Sequence, residues 1–305
     1  METMYLVLEN GRYFKGRAFG APLSETMGEV VFTTGMNGYL ETITDPSYCG
    51  QIVVQTFPMI GNYGVIPAEF ESKEPRLAGY IVREWCREPS NFRNEGDLDT
   101  FFKAKGIPAL EGVDTRALTR CLREFGTMNG RLTRKAPPYS EEELQEIRDF
   151  RVVRPVQQVT VEEKEVDTPS EVKYQVALWD FGAKHNIVQE LVSRGCEVTS
   201  FPATATAEEI LAAHPDGIML SNGPGNPEDN SEIIVELAKL CEAQIPMFGI
   251  CLGHQLMALA RGAHTTKLKY GHRGANQPVE DLDTGRIYVT SQNHGYMVEF
   301  DSLPE

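Results

Sequence analysis

The stretch MFGICLGHQL, residues 247–256, decides how the second half of this sequence folds. An apolar run enters it and a run of small, helix-forming residues leaves it, which predicts a strand, a sharp turn and a helix. Cys251 lies at the apex, inside a Gly-x-Cys-x-Gly pattern that is the thiol counterpart of the nucleophile elbow. A thiol at a helix N-terminus meets the positive end of the helix dipole, which favours the thiolate. We therefore predict that Cys251 is a nucleophile; the alternative is a structural cysteine in a buried strand.

Strands and helices alternate on the amino-terminal side of this turn. The predicted strands are residues 175–179, 197–201 and 217–221, and the predicted helices are 186–194, 207–213 and 231–243. Such alternation indicates a parallel sheet with helices on both faces, whose sites lie at the carboxyl ends of the strands. Both Cys251 and the loop NGPGNP, residues 222–227, follow predicted strands. The alternative for this loop is a plain turn.

The first half of the sequence predicts a different architecture. An Asn-Gly turn at residues 10–11 separates two strand patterns, and further strands and helices follow. Asp114 is expected to cap a helix, and Ser140 begins a capping box. The predicted strands are 5–8, 13–19, 29–34 and 51–56, and another helix is predicted at 97–105.

The fold class is thus α/β. A mixed α+β domain spans residues 1–150, a polar linker spans 151–173, and a doubly wound, mostly parallel-sheet domain spans 174–305. Part of the linker is compatible with an edge strand.

Composition excludes several classes of protein. A net charge of −15 disfavours nucleic-acid binding, since phosphates would be repelled. The N-terminus has no signal-peptide pattern, and no apolar run reaches the roughly 18 residues of a membrane span. Six cysteines without a C-x-x-C pair indicate neither a zinc site nor a disulfide framework. We expect a cytoplasmic protein that has no metal ligands and no membrane partner.

Six runs, taken together and in order, resemble the class I glutamine amidotransferases and, more narrowly, the small glutaminase subunits of carbamoyl phosphate synthetases. The runs are TTGMNGY (33–39), TDPSY (44–48), IGNYG (60–64), SNGPGNP (221–227), YGHRGANQPV (270–279) and SQNHGY (291–296). They extend over nearly the whole sequence.

The resemblance implies a reaction and a set of site residues. Cys251 would attack the side-chain amide of glutamine, release ammonia and form a glutamyl thioester that water hydrolyses. The backbone N–H groups of Leu252 and Gly223 would form the oxyanion hole. Glutamine would be held by Ser47, Gly223, Gly225, Leu252, Gln255, Asn293, Gly295 and Tyr296. For residues 293–295 the alternative is an ordinary loop tip, and His272 and His294 are expected to serve in hydrogen bonding or at an interface.

The resemblance also implies a partner. Ammonia would pass to a large synthetase subunit, in a heterodimer, which uses ATP, Mg²⁺ and bicarbonate to make carbamoyl phosphate for arginine and pyrimidine synthesis. No cofactor is expected on this chain itself.

One family feature is not found in the sequence. Triad members carry a His-Pro-Glu segment that supplies a base and its orienting carboxylate, and no His-x-Glu follows residue 295. The segment His214-Pro215-Asp216 precedes a predicted strand and so lies at the wrong end of the sheet. We therefore expect a truncated family member, inactive or strongly impaired as written.

Two alternative functions remain. One is a catalytically silent scaffolding or regulatory subunit, which the intact Cys251 motif argues against. The other is a sister amidotransferase, serving for example anthranilate or guanylate synthesis, which the long first domain argues against.

Overall fold

The computed structural model describes residues 2–22 and 25–303. The chain divides into two compact units. The first unit comprises the residues up to Val153 together with Lys269–Asn293, and the second comprises Arg154–Leu268 together with the residues from His294 onward. Within the described ranges, no helix has the length and apolar character needed to cross a membrane.

A closed β-barrel of mixed strand direction forms the centre of the first unit. Its strands pair in the order β1-β2-β8-β6-β4-β3-β9, and β9 pairs back onto β1 to close it. These strands are β1 (Thr3–Leu8), β2 (Tyr13–Gly20), β3 (Thr26–Thr33), β4 (Gln51–Gln55), β6 (Gly79–Ile81), β8 (Pro108–Glu111) and β9 (Met128–Thr133). A separate parallel pair consists of β5 (Met59–Ile60) and β7 (Glu84–Trp85).

Alternating side chains of the barrel strands enter two different cores, as the period of two along a strand requires. Val31 and Val53 pack in a cluster with helices α1 and α2, whereas Val30 and Ile52 pack in a cluster with α3. The helices of this unit are α1 (Tyr39–Thr44), α2 (Leu98–Lys105), α3 (Thr115–Phe125) and α4 (Glu141–Asp149). The prediction of a mixed α+β domain is confirmed.

Helix starts in the first unit follow local side-chain chemistry. The Asp114 carboxylate accepts from Ala117 N–H at 2.9 Å, and Asp97 caps α2 in the same way. Ser140 and Glu143 form the predicted capping box at the start of α4. Each carboxylate or hydroxyl satisfies an N–H group that has no partner inside its helix.

A five-stranded sheet of order β10-β12-β11-β13-β14 forms the second unit. The pairs among β12, β11, β13 and β14 are parallel, and β10 adds an antiparallel edge, which confirms the predicted doubly wound sheet. The strands are β10 (Glu165–Asp167), β11 (Tyr174–Asp180), β12 (Cys196–Pro202), β13 (Gly217–Leu220) and β14 (Met247–Gly249). The helices are α5 (His185–Ser193), α6 (Ala207–Leu211), α7 (Ser231–Glu242) and α8 (Leu252–Ala260).

Helices cover both faces of this sheet. Trp179 packs in the cluster that contains α6, α7 and α8, while its neighbour Leu178 packs in the cluster that contains α5. Because adjacent strand residues point to opposite faces, these clusters lie on opposite sides of the sheet.

Two segments do not follow the predicted division of the chain into two domains and a linker. Most of the predicted linker, residues 151–173, belongs to the second unit, where Val156 is fully buried and β10 forms the edge strand that the sequence allowed. The long strands β15 (Thr265–Asp281) and β16 (Arg286–Val298) form a separate two-stranded sheet. This hairpin supplies Lys269–Asn293 to the first unit.

Candidate active site

The turn that carries Cys251 is a sharp strand-to-helix connection, as predicted, and its backbone is strained. Cys251 has φ 51° and ψ −107° and immediately precedes α8. A positive φ in a non-glycine residue costs about 1–3 kcal/mol and persists only where the surrounding structure enforces it. The turn is tied to β13, since Ile250 N–H donates to the Leu220 carbonyl at 3.0 Å. The half-buried thiol therefore sits at a fixed helix N-terminus.

The two glycines of the turn, Gly249 and Gly253, are required because neighbouring backbone atoms leave no room for a side chain. A Cβ built on Gly253 would lie 2.4 Å from the Leu220 oxygen, and one on Gly249 would lie 2.6 Å from His254 N. These distances are shorter than real Cβ contacts, so α8 can approach β13 only with glycine at position 253 and β14 only with glycine at position 249.

Gly223 and Leu252, the predicted oxyanion residues, lie against each other. Gly223 follows β13, and a Cβ built on it would lie 2.7 Å from Cδ2 of Leu252 and 2.4 Å from the Phe181 oxygen. Neither of their backbone N–H groups donates a hydrogen bond to another described residue. An oxyanion hole requires N–H groups that are not already hydrogen-bonded, and among the described residues these two meet that requirement.

The loop that carries Gly223 is held by side chains that sequence reasoning missed. Asn222 accepts from Lys184 N–H at 3.0 Å and donates to the Gly182 carbonyl at 2.9 Å. The buried Asp180 carboxylate accepts from the N–H groups of Gly182 and Ala183. Burial raises the pKa of Asp180 above its ordinary range, although these N–H groups oppose the shift. The sequence signal that could have revealed Asp180 is the segment Trp179-Asp180-Phe181-Gly182, which begins at the last residue of a predicted strand.

Other predicted glutamine contacts in the second unit cluster around one carbonyl. Gln255, buried on α8, donates to the Tyr296 oxygen at 2.8 Å, and His294 Nδ1 lies 2.7 Å from the same atom. Gly295 lies between His294 and Tyr296 in β16. Gly225 has φ 91° and packs against Pro155, so it also needs the conformational freedom of glycine.

Ser47 and Asn293 belong to the first unit, where one carboxylate joins them. Ser47 N–H donates to Asp45 Oδ1 at 2.9 Å, and Asn293 Nδ2 donates to Asp45 Oδ2 at 3.0 Å. Asp45 is 3% exposed and caps the 3₁₀ turn Pro46–Tyr48. Sequence reasoning missed Asp45, although an Asp-Pro-Ser turn is a recognisable capping pattern. Ser47 and Asn293 are thus fixed relative to each other.

The histidines are spread through both units. His254 is exposed on α8, His272 is exposed on β15, and His214 has φ 49° just before β13. Since Gly223 follows the carboxyl end of β13, His214 lies at the opposite end of that strand. Among the described residues, no group of three or more His, Cys, Asp or Glu side chains has a metal-binding arrangement.

Comparisons with known proteins agree with this arrangement. The model of the carbamoyl-phosphate synthase small chain, CPSase domain, matches residues 6–132, and that of the class-I glutamine amidotransferase matches residues 177–305. The carbamoyl phosphate synthase small chain of Listeria monocytogenes serotype 4b is 53% identical over 305 residues, which are 99% of this chain and 82% of the relative. That of Bacillus caldolyticus is 50% identical over 300 residues, 98% of this chain and 81% of the relative.

A more distant similarity exists among solved structures. A Thermoplasma acidophilum protein described as one subunit of a GMP synthase is 23% identical, with a TM-score of 0.37, and the alignment covers 43% of this chain and 69% of that one. This similarity is too weak to indicate more than a distant likeness. Identity near one half over almost the full chain is decisive: the chain belongs to the carbamoyl phosphate synthase small chain family, with a class I glutamine amidotransferase domain in its second half.

Proposed function

We propose that this chain hydrolyses glutamine through a glutamyl thioester on Cys251 and supplies the ammonia to a large synthetase subunit. The observation that carries the proposal is the strained backbone of Cys251, φ 51° and ψ −107°, at the N-terminus of α8. A cysteine with only a packing role has no need of such strain.

The proposed reaction begins with attack of the Cys251 sulfur on the side-chain carbonyl carbon of glutamine. The π electrons move to the oxygen, which the N–H groups of Gly223 and Leu252 stabilise. Collapse of this tetrahedral intermediate breaks the C–N bond, and the nitrogen leaves as ammonia after taking up the thiol proton. Water then hydrolyses the thioester, releasing glutamate and restoring the thiol.

Glutamine recognition is proposed to use the residues that the family resemblance implies. Among them, Ser47 and Asn293 are fixed relative to each other by Asp45. The others are Gly225, Gln255, Gly295 and Tyr296. The ordered Gln255–Tyr296 bond supports this assignment, since it fixes a buried amide before substrate arrives.

The partner would bind ATP and Mg²⁺ and combine ammonia with bicarbonate into carbamoyl phosphate for the arginine and pyrimidine pathways. Family membership supports a large subunit. We also propose a cytoplasmic location, because all six cysteines are free thiols, as expected in a reducing compartment.

The test is glutamate release from glutamine by the purified chain, with and without a large subunit, and Cys251→Ser as the matched blank. We expect an acid-quenched sample to carry one glutamyl group on the peptide that contains Cys251, and none in the blank. Glutamate release equal in both proteins would refute the thioester.

A further inference from the structure

We infer that Ser221 is a positioning residue that aligns the Gly223 N–H with the oxyanion. The inference rests on the proposed function, because it assumes that Gly223 donates to the oxygen of the tetrahedral intermediate. It assigns a role to a fully buried serine that the reaction itself does not consume.

The hydroxyl of Ser221 bonds to the peptide unit whose N–H is the proposed donor. Phe181 N–H donates to Ser221 Oγ at 2.8 Å, and Ser221 Oγ donates to the Asn222 carbonyl at 2.8 Å. The Asn222 carbonyl and the Gly223 N–H belong to one planar peptide and, in the trans form, point in opposite directions. Holding the carbonyl on the Ser221 side therefore directs the N–H away from it.

The same chain of hydrogen bonds continues away from the site. Ala203 N–H donates to Thr160 Oγ1 at 2.9 Å, and Thr160 Oγ1 donates to the Asp180 carbonyl at 2.6 Å. That carbonyl shares a peptide unit with the Phe181 N–H. Two hydroxyls and two peptides are thus aligned in one direction, ending at Gly223. Chains of this kind polarise each member, by roughly 10–30% per bond.

Ser221 also holds the second donor in place through its backbone. Gly253 N–H donates to the Ser221 carbonyl at 3.0 Å. Gly253 directly follows Leu252, whose N–H is the other proposed oxyanion donor. One residue therefore fixes both halves of the oxyanion hole, by its hydroxyl on one side and by its carbonyl on the other.

An ordinary buried serine would also be hydrogen-bonded, so the test must separate positioning from packing. The probe is glutamate γ-semialdehyde, measured against glutamine. The Cys251 thiolate adds to the aldehyde carbon and the carbonyl electrons move to oxygen, which gives an anionic hemithioacetal that has an oxyanion but no leaving group. Dissociation constants of both ligands are measured for the full 305-residue chain by protection of Cys251 against alkylation.

We expect Ser221→Ala to weaken aldehyde binding by about 10- to 100-fold, less than the roughly 10²–10³ that follows removal of an oxyanion donor. Glutamine binding should change less than threefold, roughly, since the ground-state oxygen gains less from alignment. Thr160→Val should shift the ratio of the two constants in the same direction, by about two- to fivefold. Ile210→Val, which trims the core of the same unit, should leave the ratio unchanged.

The outcomes are distinct. If the aldehyde does not protect Cys251 of the wild-type chain against alkylation, the proposed function and this inference both fall. If it binds and Ser221→Ala lowers both affinities equally, Ser221 only packs and the inference alone is overturned. Should Ser221→Ala not fold, Thr160→Val decides, and an unchanged ratio in that variant overturns the inference.

Discussion

Two turns of this molecule hold predicted site residues by different physical means. The Cys251 turn is strained and is enforced by close backbone packing at its two glycines. The Ser47 turn has an ordinary 3₁₀ conformation and is held by hydrogen bonds to the single carboxylate of Asp45. Steric enforcement fails all at once when a side chain is added, whereas a hydrogen-bonded turn loses its order by degrees. The turn that carries the proposed nucleophile is therefore the more sensitive of the two to substitution.

The largest expected effect comes from Gly253→Ala. Alanine normally stabilises a helix relative to glycine by about 1 kcal/mol. Here the new Cβ would lie 2.4 Å from the Leu220 oxygen, so overpacking outweighs that gain and we expect a net loss of roughly 2–3 kcal/mol of stability. Displacement of Cys251 by about 1 Å should also lower thioester formation at least about 100-fold. Urea unfolding and acid-quench mass spectrometry measure the two effects.

The control for that variant is Gly96→Ala, since a Cβ at Gly96 would have no atom within 4 Å. It should change stability by less than about 0.5 kcal/mol. Equal stability of Gly253→Ala and wild type would show that the contact at α8 does not enforce the turn.

An intermediate effect is expected for Asp45→Ala. Loss of the carboxylate removes the cap of the Ser47 turn and the partner of Asn293 Nδ2. Lost caps cost about 0.5–2 kcal/mol. Glutamine affinity should fall by about tenfold, the equivalent of about 1.4 kcal/mol, while alkylation of Cys251 continues. Asp45→Asn, which keeps one acceptor oxygen, should lose less; equal losses in both variants would contradict a hydrogen-bonding role.

The smallest expected effect is on the alkylation of Cys49, which directly follows the Ser47 turn. Burial raises the pKa of the Cys49 thiol from 9.0 to about 11, whereas Cys251 is less deeply buried. Iodoacetamide at about pH 8, below the ordinary thiol pKa, should therefore modify Cys251 and leave Cys49 intact in the folded chain. Peptide mapping reads both positions, with the unfolded chain as the control in which both react.

The raised pKa of Cys49 also makes the free energy of unfolding depend on pH. A thiol whose folded pKa is raised binds its proton more tightly in the native state, so its stabilisation is complete below pH 9.0 and declines as pH rises through about 11. Cys49→Ser should lose less stability than wild type over this window. Buried tyrosines titrate in both proteins, so only the difference between the two curves is informative, and parallel curves would contradict the assignment.

Local signals made much of this fold predictable. The Cys251 elbow, the Asn-Gly hairpin and the caps at Asp114 and Ser140 each depend on residues a few positions apart. The parallel sheet followed from the alternation of strand and helix patterns. Such features need no knowledge of distant partners.

Features that depend on distant partners were not predictable. Strands β6 and β8 are only three and four residues long and are defined by the barrel neighbours on either side. Asp45 gains its importance from Asn293, which is 248 positions away. The turn chemistry at Asp45 was visible, but the bond to Asn293 was not. The roles predicted for the site residues by family resemblance remain predictions.

The path of the β15–β16 hairpin has a consequence for the evolution of this chain. Residues Lys269–Asn293 lie in the second half of the gene yet belong to the first unit, where Tyr270 packs on Phe32 and Lys269 accepts from Thr127 N–H. A genetic exchange that replaced the second half as a cassette would replace part of the first unit as well. The two halves are therefore expected to have been inherited together, and a productive swap would have to carry residues Lys269–Asn293 with the first unit, to which they belong.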